Sequence, residues 1–152
     1  MIVYRLSRTK YAKDLSGEGA RLFSARWNKK GTPCVYTAEN RSLAILEYTV
    51  NIMADEIPRA LSMISIDVPD NNILEIPVVQ LPGDWQHTPV PLSTKKMGTK
   101  LLESLQSPVI KIASAIIPEE YNYILNPKHP DASLFKIVEI RDFIYDIRIK
   151  QK

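Results

Sequence analysis

The sequence predicts an α+β fold. Strand-like runs dominate it, only two stretches carry convincing helical chemistry, and no internal repeat, low-complexity tract or linker divides its 152 residues. The expectation is a single domain spanning residues 1–152, a length that buries a real core without staples.

Element by element, Ile2–Leu6 reads as a first strand, and residues 7–32 read as loop, with Gly17, Gly19 and Gly31 among them. Cys34–Ala38 reads as a second short strand. Asn40 is placed to cap a helix over 41–54, whose sequence RSLAILEYTVNIMA is rich in good helix formers. Leu61–Val68 and Ile73–Ile76 follow as strands around the turn Pro69-Asp70-Asn71-Asn72. Residues 77–93 hold Pro77, Pro82, Pro89 and Pro91 and read as an irregular surface excursion, a candidate lid. A second helix is expected over 94–106, and Val109–Ile117 reads as the strongest strand of the chain. The segment PEEYNYILNPKHP reads as loop, and two last strands are expected over 134–140 and 143–149. Periodicity does not fix the order of strands in the sheet.

Composition narrows the class. Hydrophobic content of 45% and charged content of 24% are those of a soluble globular protein. The single cysteine, Cys34, makes no internal disulfide, which suits a reducing compartment. The opening MIVYRLSRTK lacks the pattern of a signal peptide, and no apolar run approaches the roughly 20 residues of a membrane span. A cytoplasmic protein is expected. The net charge of +3 is scattered and balanced by 17 acidic residues, so a solvated surface is a better reading than direct nucleic-acid binding.

Some polar residues stand where apolar ones are expected. On a helix over 41–54, Leu43, Glu47, Val50 and Ala54 share one face, with Leu46 beside them. A mid-helix carboxylate on that stripe loses hydration and needs a partner, or belongs to a site. The plainer reading is a stripe-edge glutamate that reaches water or an arginine. Ser114 interrupts Ile110, Ile112 and Ile116 on one face of the expected strand, where a small core serine is the default. Arg5 lies on the first strand and Arg26 in Arg26-Trp27-Asn28; together they suit ion pairs or a cradle for a doubly charged anion. Tyr36 reads by default as a core tyrosine.

Other chemistry finds little support. Neither GxxxxGK[ST] nor GxGxxG is present. His87 and His129, with one cysteine, are too few soft ligands for zinc, and no metal is expected. Cys34, with no adjacent histidine, reads as a strand residue.

The residues singled out recur, in order, in a longer pattern. Tyr4-Arg5, Ala25-Arg26-Trp27-Asn28, Val35-Tyr36-Thr37-Ala38, Ala44 to Glu47, Ala113-Ser114 through Pro118, Asn122 to Asn126-Pro127 with His129-Pro130, and Asp146-Ile147-Arg148 span nearly the whole chain. Each is weak; the seven together resemble the RES family, named for an arginine, a glutamate and a serine. The sequence departs from that pattern at Ser24 and Ala25, where glycines precede the arginine, and at Ala113, where a proline precedes the serine. Met97-Gly98-Thr99-Lys100 also lacks a tryptophan often found there.

The resemblance implies a fold related to ADP-ribosyltransferases, with small twisted, mainly antiparallel sheets around a cleft for NAD⁺. It implies a toxin of a bacterial type II toxin–antitoxin system that consumes NAD⁺ as substrate, restrained by an Xre-type helix-turn-helix antitoxin. Cleavage of the nicotinamide–ribose bond by water or phosphate is the expected reaction. Protein ADP-ribosylation is the first alternative, and a non-catalytic module partnering a DNA-binding regulator the second. The implied site is Glu47 beside the charge that develops on the ribose, Arg5 and Arg26 on pyrophosphate or ribose, Tyr36 stacked on nicotinamide, and Ser114 bonded to ribose or carboxamide.

Overall fold

The computed structural model describes residues 1–150, apart from the side chain of Ala54; Gln151 and Lys152, at the end of the expected domain, lie outside the described residues. Seven strands form one sheet: β1 (Ile2–Arg8), β2 (Val35–Ala38), β3 (Leu61–Asp67), β4 (Ile73–Glu75), β5 (Val109–Ala113), β6 (Tyr121–Leu125) and β7 (Lys136–Phe143). Their order is β4-β5-β6-β2-β1-β3-β7. Every neighbouring pair is antiparallel except β4 with β5. The fold is α+β, as expected. Where β1 and β2 meet, only Tyr4 and Ala38 are in register. The sheet is thus two well-paired halves, β4-β5-β6-β2 and β1-β3-β7, meeting at one rung.

Three helices accompany the sheet: α1 (Glu18–Leu22), α2 (Arg41–Val50) and α3 (Leu92–Glu103). The face of Ile110, Ile112 and Ile124 packs with Trp27, Trp85 and Leu102 of α3. Beside it, Leu6, Ala38 and Met63 pack with Leu43 and Ala44 of α2. The opposite face buries Val3, Ile64, Ile66, Val109 and Leu125 with Ala12. Burial on both faces accounts for the apolar residues at successive positions in β3 and β5, such as Met63-Ile64 and Val109-Ile110.

Several expectations are corrected. The loop over 118–130 contains β6, which is paired on both sides and central to its half. Its flanking Pro118 and Pro127 masked the alternation of Tyr121, Tyr123 and Leu125. The strand expected to reach Ile117 stops at Ala113, because the Ser114 hydroxyl accepts the N–H groups of Ile116 (3.1 Å) and Ile117 (3.2 Å) and turns the chain off the ladder. The two last strands are one, β7, followed by a 3-10 turn at Ile147–Lys150. Tyr145 breaks the run by turning inward, its hydroxyl 2.6 Å from Thr49 Oγ1, and Asp146 then captures the Arg148 N–H.

The helices also shift. Asn40 caps α2 as expected, accepting from the Leu43 N–H at 2.7 Å, but the helix ends at Val50 rather than 54. Its buried residues are Leu43, Ala44 and Thr49, and Val50 is 53% exposed, so the expected stripe is rotated. The supposed loop 7–32 contains α1, and α3 begins and ends two to three residues early. The proline-rich excursion is pinned rather than free: Leu81 and Trp85 are buried in the core.

Candidate active site

Glu47 lies on the inner side of α2, half-buried. Its Oε1 accepts two hydrogen bonds, from Ser114 Oγ at 2.8 Å and from Asn122 Nδ2 at 2.7 Å. Three elements far apart in sequence converge here: α2, the end of β5 and the middle of β6. Asn122 is fixed by register to Ile112 on one side and Ala38 on the other. Ser114, fully buried, is held by the turn its own hydroxyl makes. With both lone pairs taken by N–H groups and its proton given to Glu47, that hydroxyl has no capacity left for a ligand. The Ser114 hydroxyl is thus engaged with Glu47 and its own turn.

Arg26 lies near the same carboxylate. Burial, the larger effect, pulls its pKa below the ordinary arginine value, and the charge of Glu47 pushes it back up. One terminal nitrogen, Nη1, donates to the carbonyls of Trp85 (2.8 Å) and His87 (3.0 Å). The excursion thus anchors one side of the guanidinium and leaves Nη2 and Nε without protein partners among the described residues. No ion pair among the described residues uses Arg5, Arg26 or Glu47.

The loop carrying Arg26 is held by an uncharged polar lock. The Tyr36 hydroxyl donates to Asn28 Oδ1 at 2.6 Å and accepts from the Trp27 N–H at 3.1 Å. Asn28, fully buried, also accepts from the Ala25 N–H and donates to the carbonyls of Ala20 and Thr32. Where the family pattern has glycines, Ser24 Oγ instead accepts from Lys95 of α3 at 3.0 Å. Burial pushes the Tyr36 pKa well above its ordinary value, so the hydroxyl is a neutral clamp.

Arg5 is not joined to this cluster. Register places it opposite Ile64, on the sheet face of Val3, away from α2. It donates to the carbonyls of Asp14 (2.7 Å) and Tyr11 (3.3 Å), and burial is the main cause of its lowered pKa. The family model of the RES domain matches residues 2–146.

The chain belongs to the RES family. This RES chain is 40% identical over 152 residues to Toxin Res of Photorhabdus laumondii, covering 98% of the chain and 97% of that protein. It is 35% identical over 149 residues to the Prs ADP-ribosylating toxin of a Sphingobium species, covering 96% of the chain and 92% of that protein. Among solved structures, a chain of the M. tuberculosis MbcT–MbcA toxin–antitoxin complex superposes with a TM-score of 0.74. That match, at 20% identity over 93% of this chain and 83% of the other, is one of fold.

Reading the RES sequence alone assigned no role to Asn122 or to Asn28. Both lie in the quoted motifs, and the signal for Asn122 was its alternation with Tyr121 and Tyr123, hidden by the assignment of loop. Cys34 is buried and its pKa is pushed up to about 12 by desolvation, which leaves it no nucleophilic role near neutral pH. Among the described residues no group of three or more His, Cys, Asp or Glu is placed to hold a metal ion, and no helix is long and apolar enough to cross a membrane.

Proposed function

We propose that this RES protein is the toxin of a toxin–antitoxin pair, and that it cleaves NAD⁺ at the nicotinamide–ribose bond with water or inorganic phosphate as acceptor. The observation that carries the reading is Glu47 itself. It is a half-buried carboxylate, gripped on one oxygen by two donors, with an arginine nearby and no ion pair to neutralise it among the described residues.

As the bond from ribose to nicotinamide breaks, its electron pair returns to the pyridine nitrogen, and positive charge grows on the ribose. A fixed carboxylate lowers that barrier because it needs no reorganisation. Nicotinamide leaves neutral, so no strong acid is needed. Water then adds to the ribose and loses a proton to give ADP-ribose; phosphate adds in its place to give the phosphorylated product. Arg26, through Nη2 and Nε, is suited to pyrophosphate oxygens or ribose hydroxyls. Arg5, on the opposite face of the sheet and bonded to the carbonyls of Tyr11 and Asp14, supports the 11–14 loop in this reading rather than contacting the NAD⁺ held at Glu47. Tyr36 offers its partly exposed ring to the nicotinamide.

Loss of NAD⁺ stops growth, so the host needs an inhibitor. The expected partner is an Xre-type helix-turn-helix antitoxin, and the cytoplasm, where NAD⁺ is abundant, is the expected compartment. Support for a partner comes from the structural neighbour, which is a toxin–antitoxin complex. A second reading, transfer of ADP-ribose to a protein, uses the same residues and is favoured by the name of the Sphingobium relative. Purified protein incubated with NAD⁺, with and without phosphate and candidate acceptor proteins, separates these. Free nicotinamide without protein labelling supports NAD⁺ breakdown, labelling supports transfer, and intact NAD⁺ in every mixture rejects both.

A further inference from the structure

We propose that Asn122 is a positioning residue that determines which oxygen of Glu47 faces the substrate, a reading that rests on the role given to Glu47 above. The two hydrogen bonds to Glu47 both end on Oε1. Among the described residues nothing bonds Oε2. One donor would let the carboxylate swing about it; two donors, one from β6 and one from the turn after β5, fix its plane, so that Oε2 is always the oxygen presented.

The two donors are not equivalent. Ser114 is saturated by its own turn. Asn122 leaves its Oδ1 buried with no hydrogen-bond partner while Nδ2 donates to Glu47. A buried acceptor without a partner is uncommon in a native fold and calls for a reason. The reason lies in the neighbour. Turning the amide over would set Oδ1 against Glu47 Oε1, acceptor on anion at 2.7 Å, so the carboxylate dictates the orientation. The backbone cannot relieve the conflict, because β6 is paired on both sides at this residue. An amide kept in this orientation at the expense of its own acceptor serves the carboxylate.

The test uses the full chain with Asn122→Ala, Asn122→Leu, Glu47→Ala and the double variant Asn122→Ala/Glu47→Ala, read by nicotinamide release from NAD⁺. Asn122→Leu keeps nearly the same shape and removes the donated N–H without adding a charge, which guards against loss of packing. Both Asn122 variants should lower kcat by about ten- to a hundredfold, a scale set by losing one preorganised donor, and shift KM less than about threefold. The double variant should match Glu47→Ala. A double variant falling about tenfold or more below Glu47→Ala, or a dominant rise in KM, means that Asn122 acts on the substrate and overturns the proposal. A second readout needs no turnover. In ¹⁵N spectra the side-chain N–H proton of Asn122 that faces the carboxylate should lie downfield of the ordinary asparagine range, and Glu47→Ala should return it to that range. If it lies in the ordinary range in the wild type, or stays downfield in Glu47→Ala, the proposal fails whatever the activity. If it responds while NAD⁺ stays intact, the NAD⁺ reading fails and the positioning role stands.

Discussion

Gly98, in the middle of α3, lies directly against the backbone of Trp27. A Cβ at this position would sit 2.6 Å from the Trp27 carbonyl carbon and 2.8 Å from its Cα. Those atoms belong to the segment that presents Arg26, so a helix is seated on the Arg26 loop through the one residue type that fits. Alanine normally gains up to about 1 kcal/mol over glycine inside a helix, whereas overpacking against backbone costs roughly 1–3 kcal/mol. The clash should win. Gly98→Ala is expected to lower Tm and to raise the KM for NAD⁺ more than it lowers kcat; a Tm at or above wild type would show that the loop yields freely.

Glu47→Ala and Glu47→Gln should keep the circular dichroism of the wild type and lose NAD⁺ cleavage by a factor on the order of 10² or more. Expression of the wild-type chain alone should arrest a bacterial host, and the Glu47→Ala form should be tolerated. Near-normal turnover in a folded Glu47 variant removes this residue from the mechanism.

Ser114→Ala should fail in two ways at once. It deletes a donor to Glu47 and leaves the N–H groups of Ile116 and Ile117 without the oxygen that now accepts them. Unsatisfied buried donors cost about 1–3 kcal/mol, so a drop in Tm of several degrees should accompany the loss of kcat. A variant with full stability but reduced kcat would show that the turn does not depend on the hydroxyl.

The two arginines should separate. Arg26→Lys keeps a charge but loses the planar fork, and should raise the KM for NAD⁺ about tenfold or more with little change in Tm. Arg5→Ala should lower Tm, because two backbone carbonyls lose their donor. Equal effects of the two on KM and on Tm would erase this distinction.

Cys34 sets a pH signature. Burial lifts its thiol from an ordinary 9.0 to about 12, so between these values the folded chain holds a proton that the unfolded chain has released. Stability is complete below about pH 9 and falls as pH rises through that window. Tyr36, also raised by burial, adds a loss of the same sign. Melting curves from pH 8 to 11 should show the decline, and Cys34→Ala should flatten it.

The fold class is legible in the sequence, and so are most of the residues that cluster at the candidate site. Arg26, Glu47 and Ser114 were visible because each is a polar residue in an apolar or loop context, and because their order along the chain matched a family. What the sequence hid was who touches whom. Glu47 and Ser114 are 67 residues apart, and their contact requires β6 to stand between β5 and β2, in a stretch that prolines made look irregular. Tyr36 reads as a core tyrosine, and nothing in its strand shows that its hydroxyl locks the Arg26 loop through Asn28 and Trp27. Arg5 and Arg26 suggest one cradle, and strand alternation sends Arg5 to the face opposite α2.

The rung between Tyr4 and Ala38 has a mechanical meaning. With so little backbone pairing across that line, cohesion passes to side chains: Leu6 from one half and Ala38 from the other meet Leu43 and Ala44 beneath α2. The molecule is built as two plates riveted by one helix, and the rivet is also the helix that carries the carboxylate. Opening the seam would take Leu6 and Met63 from beneath α2, while both donors to Glu47 stay with the β5-β6 plate, so the packing of the helix gives way before the grip on the carboxylate.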